Sequence, residues 1–183
     1  MKRFLFALFA ALVMPVFAHA ASPCGPYRVP VVVIGDGHGV ALSRASDGCW
    51  TNMAKIGRSI FDPEIEMQLR SFPPGTPVVI SLGHADTKIA SSANWKSFRQ
   101  TAMWIALLAD QQHLRWIWIE PPCLPDMSTD WIRTEIMDAV DISQTWDWPY
   151  CRGTNPQRMP NAEVFYNTQI LNIEGEFLKR FSR

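Results

Sequence analysis

The chain has 183 residues, in which 17 Lys and Arg balance 17 Asp and Glu. That balance excludes the basic footprint of a nucleic-acid or anionic-membrane binder. With 48% hydrophobic and 19% charged residues, the composition is that of a globular domain and not of a disordered segment.

Met1, Lys2 and Arg3 precede an apolar run over residues 4–17, and Ala18, His19 and Ala20 form an A-x-A site ahead of Ala21. The run is shorter than the roughly 20 apolar residues of a membrane span, and Pro15 falls within it, so a secretory signal cleaved after Ala20 is expected. Removing 20 of the 183 residues leaves 163, enough for one domain over residues 21–183 and too few for two. Loss of Lys2 and Arg3 leaves 15 basic against 17 acidic side chains, a net charge of −2. The expected location is periplasmic or secreted, with no membrane span in the mature chain. Cys24, Cys49, Cys123 and Cys151 then lie in an oxidising compartment, which predicts two disulfides in one of three connectivities. No C-x-x-C pair is present, so a cysteine zinc site is not expected.

Residues 29–34 are a β-branched run that stops at Gly35, Asp36, Gly37, His38, Gly39; being apolar on both faces, it predicts a central parallel strand. Residues 77–82 repeat the pattern and end at Gly83, His84, Ala85, Asp86, and residues 115–120 repeat it again before Pro121 and Pro122. Between these runs the apolar spacing is helical. Residues 63–72 form one helix, and in residues 91–113 Trp95, Phe98, Ala102, Ile105 and Leu108 share one face. Residues 128–141 open with Ser128, Thr129 and Asp130 as candidate caps, and residues 160–181 close the chain with Phe165, Leu171 and Phe177 inward. The alternation predicts a three-layer α/β/α sandwich with a parallel, flavodoxin-like sheet, since a barrel needs more chain. Residues 146–160 lack periodicity and read as a long loop with a short strand at its start.

In such a sheet, ligands bind beyond the carboxyl ends of the strands. Asp36, His38, His84 and Asp86 stand there. At these residues the chain resembles the SGNH hydrolases, the GDSL esterase and lipase family, across nearly the whole mature chain. The family's first block, Gly-Asp-Ser, is matched by Gly35, Asp36, Gly37, which puts glycine at the nucleophile position. The second, an Asn followed by an oxyanion-binding Gly, is matched by Asn52 and Gly57. The third, Gly-x-Asn-Asp, is matched by Gly83, His84, Ala85, Asp86, with Ala85 in place of the oxyanion-binding Asn. The last, Asp-x-x-His-Pro, is best matched by residues 152–156, with Arg152 in place of Asp and Asn155 in place of His. No His follows His113, so the chain carries no late imidazole under any alignment.

The resemblance implies esters, acylated glycans or lipids as the ancestral substrate class. Without a nucleophile or base, such a unit loses on the order of 10⁴ to 10⁶ in rate. The expectation is therefore a non-catalytic binding protein whose pocket comprises Asp36, Gly37, His38, Asn52, Gly57, His84, Asp86, Arg152 and Asn155. No cofactor is implied. The ligand is a small molecule, a glycan or acyl group, or a protein partner. The alternative is a hydrolase with non-standard groups, in which Asp36, His38, His84 and Asp86 converge on a divalent metal that activates water. Since the resemblance already accounts for the two aspartates as loop ties, hydrogen-bonded pocket histidines are the favoured reading over a metal site. A substitute hydroxyl, Ser43, Ser81 or Thr87, is a lesser route, with Ser81 expected in a strand and Ser43 on a helix. Trp146 and Trp148 lie nearest the expected pocket, although packing is the simpler role for them. Arg152 would suit an anionic ligand. Within the same frame, pairing Cys123 with Cys151 would pin the last block over the pocket and leave Cys24 for Cys49.

Overall fold

Short β-branched runs flanked by glycine and proline alternate with amphipathic helices along the whole chain, and the two kinds of element sort into layers. The structure, a computed structural model, describes residue 24 and residues 29–88, 95–121, 130–141, 143–146 and 162–181. Its elements run β1 (Val32–Gly35), α1 (Gly37–Ala45), β2 (Thr51–Asn52), α2 (Glu64–Ser71), β3 (Pro77–Ser81), α3 (Trp95–Gln111), β4 (Arg115–Ile119), α4 (Asp130–Ala139), β5 (Thr145–Trp146) and α5 (Ala162–Phe181). The sheet has the order β2-β1-β3-β4-β5 with every pairing parallel. This is the three-layer, flavodoxin-like arrangement predicted by the alternation.

Each central strand is buried on both faces, which is why its sequence is a continuous apolar run. On one face Ile34, Val78, Ile80, Trp116 and Trp118 pack beneath α2, α3 and α4, meeting Leu69, Phe98, Ile105 and Ile132. On the other, Val33, Val79, Ile117 and Ile119 pack beneath α1 and α5, meeting Leu42, Ile170, Ile173 and Phe177. Register is fixed by this two-sided burial, and Gly35 lies opposite Ser81.

Two side chains, Leu171 and Trp95, depart from the expected core, and Trp146 takes the packing role favoured for it. Leu171 is exposed, and α5 turns Ile170, Ile173 and Phe177 inward. Trp95, in the first turn of α3, is half-buried and lies under Lys96 and Arg99, 5.5 and 5.3 Å from the ring centroid. Trp146 is buried with the α5-side core, so its role is packing and not ligand contact. Cys24 and Cys49 form a disulfide. Phe165's side chain and the whole of residues 1–20, Cys123, Trp148, Cys151, Arg152 and Asn155 lie outside the described residues. No described helix is long and apolar enough to cross a membrane.

Candidate functional site

Strand β1 ends at Gly35, where a Cβ would sit 2.1 Å from the Ser81 carbonyl oxygen; only glycine allows the two chains this close. Asp36 follows as the N-cap of α1 and is almost wholly buried. Its backbone N–H donates to Ser81 O (2.8 Å), and its carboxylate accepts three backbone N–H bonds. One comes from His38 (3.0 Å), which starts the helix, and the others come from His84 (3.0 Å) and Ala85 in the turn after β3. One carboxylate thus ties together the ends of the two central strands.

Gly37 is the first residue of α1, and a Cβ there would meet no described residue within 4 Å beyond its chain neighbours. Beside it, the His38 and His84 rings touch edge to face with centroids 4.5 Å apart. His84 is carried by a turn that requires Gly83, whose φ of +114° is combined with a backbone lying close beneath Ile132 and Pro121. Asp86, in the short 3-10 turn Ala85–Lys88, is buried and accepts from the Ser59 hydroxyl and the Ile60 N–H (3.0 Å). It anchors the segment that follows Gly57. Gly57 itself is exposed with φ +76°, and Asn52 is exposed, its side-chain oxygen accepting the Ala54 N–H (3.0 Å).

Electrostatics follow from burial. Desolvation pushes the Asp36 carboxyl up to about 6; the bonds from His38, Ala85 and His84 oppose it, and the charge of Asp86 adds to it. Asp86 is raised for the same main reason, against the pull of Ser59 and Ile60. His38 is pushed down to about 3, first by desolvation and then by the neighbouring His84. It is a neutral ring at neutral pH, part hydrophobic wall and part hydrogen-bonding surface.

The structure therefore brings Asp36, Gly37, His38, His84, Ala85 and Asp86 together at the carboxyl ends of β1 and β3. The metal arrangement fares worse. Both carboxylates are committed to backbone N–H or hydroxyl donors, and among the described residues no three His, Cys, Asp or Glu side chains are placed to hold an ion. Two of the three substitute hydroxyls are also committed. Ser43 is buried and donates to Trp50 O (3.2 Å), Ser81 is buried in β3, and Thr87 donates to His84 O (2.7 Å).

Two groups near the site were not singled out from the sequence. Arg58, its side chain fully buried, donates to Met53 O (2.9 Å) and Gln68 Oε1 (3.0 Å) and pairs with Asp62 (2.9 Å) and Glu64 (2.8 Å). It holds the segment around Gly57 together with Asp86. Glu120, buried at the carboxyl end of β4, pairs with Arg133 of α4 at 3.1 Å. A carboxylate closing an apolar strand was its signal.

Comparison with known proteins bears on this arrangement. No protein-family model and no curated protein sequence matches the chain. Solved structures do. The psychrotrophic esterase EstA from Pseudoalteromonas sp. is similar at a TM-score of 0.52 and 12% identity, over 83% of this chain and 97% of that one. A GDSL-like lipase from Bacteroides thetaiotaomicron is similar at 0.54 and 14%, over 80% and 85%. The salicylyl-acyltransferase SsfX3 from a tetracycline biosynthetic pathway is similar at 0.54 and 12%, over 84% of this chain and 57% of that one. The chain thus spans little more than half of the acyltransferase. At such identities the likeness is one of architecture: this chain has the fold of GDSL-like esterases and lipases.

Proposed function

We propose that the chain is an exported, single-domain protein of the SGNH-hydrolase type that has lost ester-cleaving chemistry and binds a ligand at the strand-end site. The observation that carries this reading is the space at Gly37: where the family's nucleophile would stand the residue has no side-chain oxygen, and among the described residues beyond its chain neighbours no side chain fills its place. The committed hydroxyls of Ser43 and Thr87 and the absence of any His after His113 support it. Asp36 and Asp86 are then loop ties, and His38 and His84 are the polar groups of a binding surface. Arg152 and Asn155 complete it in this proposal. The ligand class is an acyl group carried on a glycan or lipid, by analogy with the esterase and lipase neighbours; a protein partner at the same mouth is the other candidate.

The test is an ester panel with acyl chains of increasing length, run beside a phosphonate that labels activated serines. The purified protein should neither turn over nor become labelled, while acylated oligosaccharides or lipids should shift the His38 and His84 ring signals in NMR. Turnover with a covalent acyl adduct sinks the proposal. A second reading, hydrolysis by non-standard groups, draws on the His38 and His84 ring contact alone. It requires an activity that His84→Ala abolishes.

A further inference from the structure

At the opposite end of the sheet from the strand-end site, the structure holds a cavity of about 570 Å³ between the outer half of α3, the start of β4 and the segment leading into β5. Its volume falls in the range of small-molecule sites, roughly 300–1,000 Å³. Its walls are Met103, Trp104, Leu107 and Trp116, and its polar groups include the carboxylates Asp110 and Asp141. Met103, Trp104 and Leu107 are large apolar side chains left 51%, 42% and 48% exposed. On a 17-residue helix whose other face is fully packed, this is an apolar patch with a cavity beneath it.

The charges of the cavity have one sign. Among the described residues no Lys or Arg lines it. Asp110 accepts the Trp116 indole N–H (2.8 Å) and Asp141 accepts the Ser143 backbone N–H (2.8 Å), so each is oriented by a neutral dipole. Among the described residues neither carboxylate has an ion-pair partner. The nearby cations are engaged elsewhere: Arg99 with Glu135 (2.5 Å) and Asp138 (2.7 Å), and Arg180 with Glu176 (3.2 Å) and the carbonyls of Ser143 and Thr145. Two carboxylates without ion-pair partners form a complementary field for a cation, and the Met, Leu and Trp104 walls accept an apolar body.

We propose that this cavity is a second binding site, for an amphipathic organic ammonium ion: one amine or quaternary ammonium on an apolar body. An anionic ligand of the same shape meets repulsion there, and a neutral one forgoes the charge attraction. The site is separate from the strand-end pocket, and its occupancy does not depend on whether that pocket binds or catalyses.

The experiment uses the purified full chain and three isosteric probes, 4-phenylbutylammonium, 4-phenylbutanol and 5-phenylpentanoate, titrated by calorimetry at low and high salt. The ammonium should bind about tenfold tighter than the alcohol at low salt, with the carboxylate weakest, and added salt should narrow the gap. Asp110→Asn keeps an acceptor for the Trp116 indole, and Asp141→Asn one for Ser143; each should weaken the ammonium about threefold to fivefold and leave the alcohol unchanged. Trp104→Ala should weaken both the ammonium and the alcohol. His84→Ala, at the other end of the sheet, should change none of the three affinities. An ammonium that binds no better than the alcohol, or that is indifferent to both Asn substitutions, overturns the proposal.

Discussion

Asp36 and His38 are displaced from their ordinary ionisation in opposite senses, and folding stability should carry the imprint of both. His38 is held at about 3 in the folded protein, against 6.5 for a free imidazole. Unfolding in mild acid takes up a proton there, so the stability linked to His38 is present above pH 6.5 and is lost as pH falls towards 3. Asp36 is pushed up to about 6, against 3.8. Its folded form keeps a proton that the unfolded chain releases, so its contribution is present below pH 3.8 and is lost as pH rises through 6. Between about pH 4.5 and 7, linkage assigns about 2 kcal/mol of gain to His38 once the solvent its residue still meets is allowed for. Over the same window it assigns about 2 kcal/mol of loss to Asp36. The two nearly cancel. Urea unfolding at about pH 4.5, 5.5 and 7, with the disulfide intact, should uncover them separately. Relative to wild type, His38→Gln should lose about 2 kcal/mol on going from the acid to the neutral end, and Asp36→Asn should gain about 2. The double variant should run parallel to wild type. Single-variant profiles that both parallel wild type to within about 0.5 kcal/mol would refute the reasoning.

Three further outcomes test the scaffold. Gly35→Ala drives a methyl into the Ser81 carbonyl and should cost about 3 kcal/mol or more, seen as a fall in the urea midpoint, whereas Gly37→Ser, with open space for its side chain, should change stability by less than about 1 kcal/mol. Arg58→Met leaves Met53 O and Gln68 Oε1 without their donor and should destabilise by about 3 kcal/mol. Lysine should not restore it, because one ammonium cannot reproduce the guanidinium fork. Replacing Cys24 and Cys49 together by serine removes a closure of 25 residues and should lower thermal stability by about 3 kcal/mol in calorimetry.

The strands and helices were legible because two-sided burial writes a continuous β-branched run and one-sided burial writes a helical stripe. Residues 77–82 and 115–120 predict β3 and β4 to within one residue for this reason. The two-residue β2 was not legible, since Thr51 and Asn52 are exposed and carry no apolar signal; their pairing comes from backbone bonds to β1. Leu171 was misplaced because α5 holds apolar residues on more than one face, and spacing alone cannot choose the inward one. At the site, the strand-end position of Asp36, His38, His84 and Asp86 could be read from the glycine-terminated runs. That Asp36 bonds the His84 N–H, 48 residues away, could not, because it depends on a turn geometry set by Gly83 and the packing of α4. Arg58 was hidden for a similar reason. A buried arginine looks like a surface one until its four acceptors are assembled around it.

Among the described residues the parallel sheet ends on both sides in strands of only two paired residues, β2 and β5. A lateral margin that short offers a foreign chain almost no free backbone to extend, which guards against the edge-to-edge recruitment that seeds fibrils. On margins of that kind, contact falls to the side chains of the helical flanks and not to main-chain ladders.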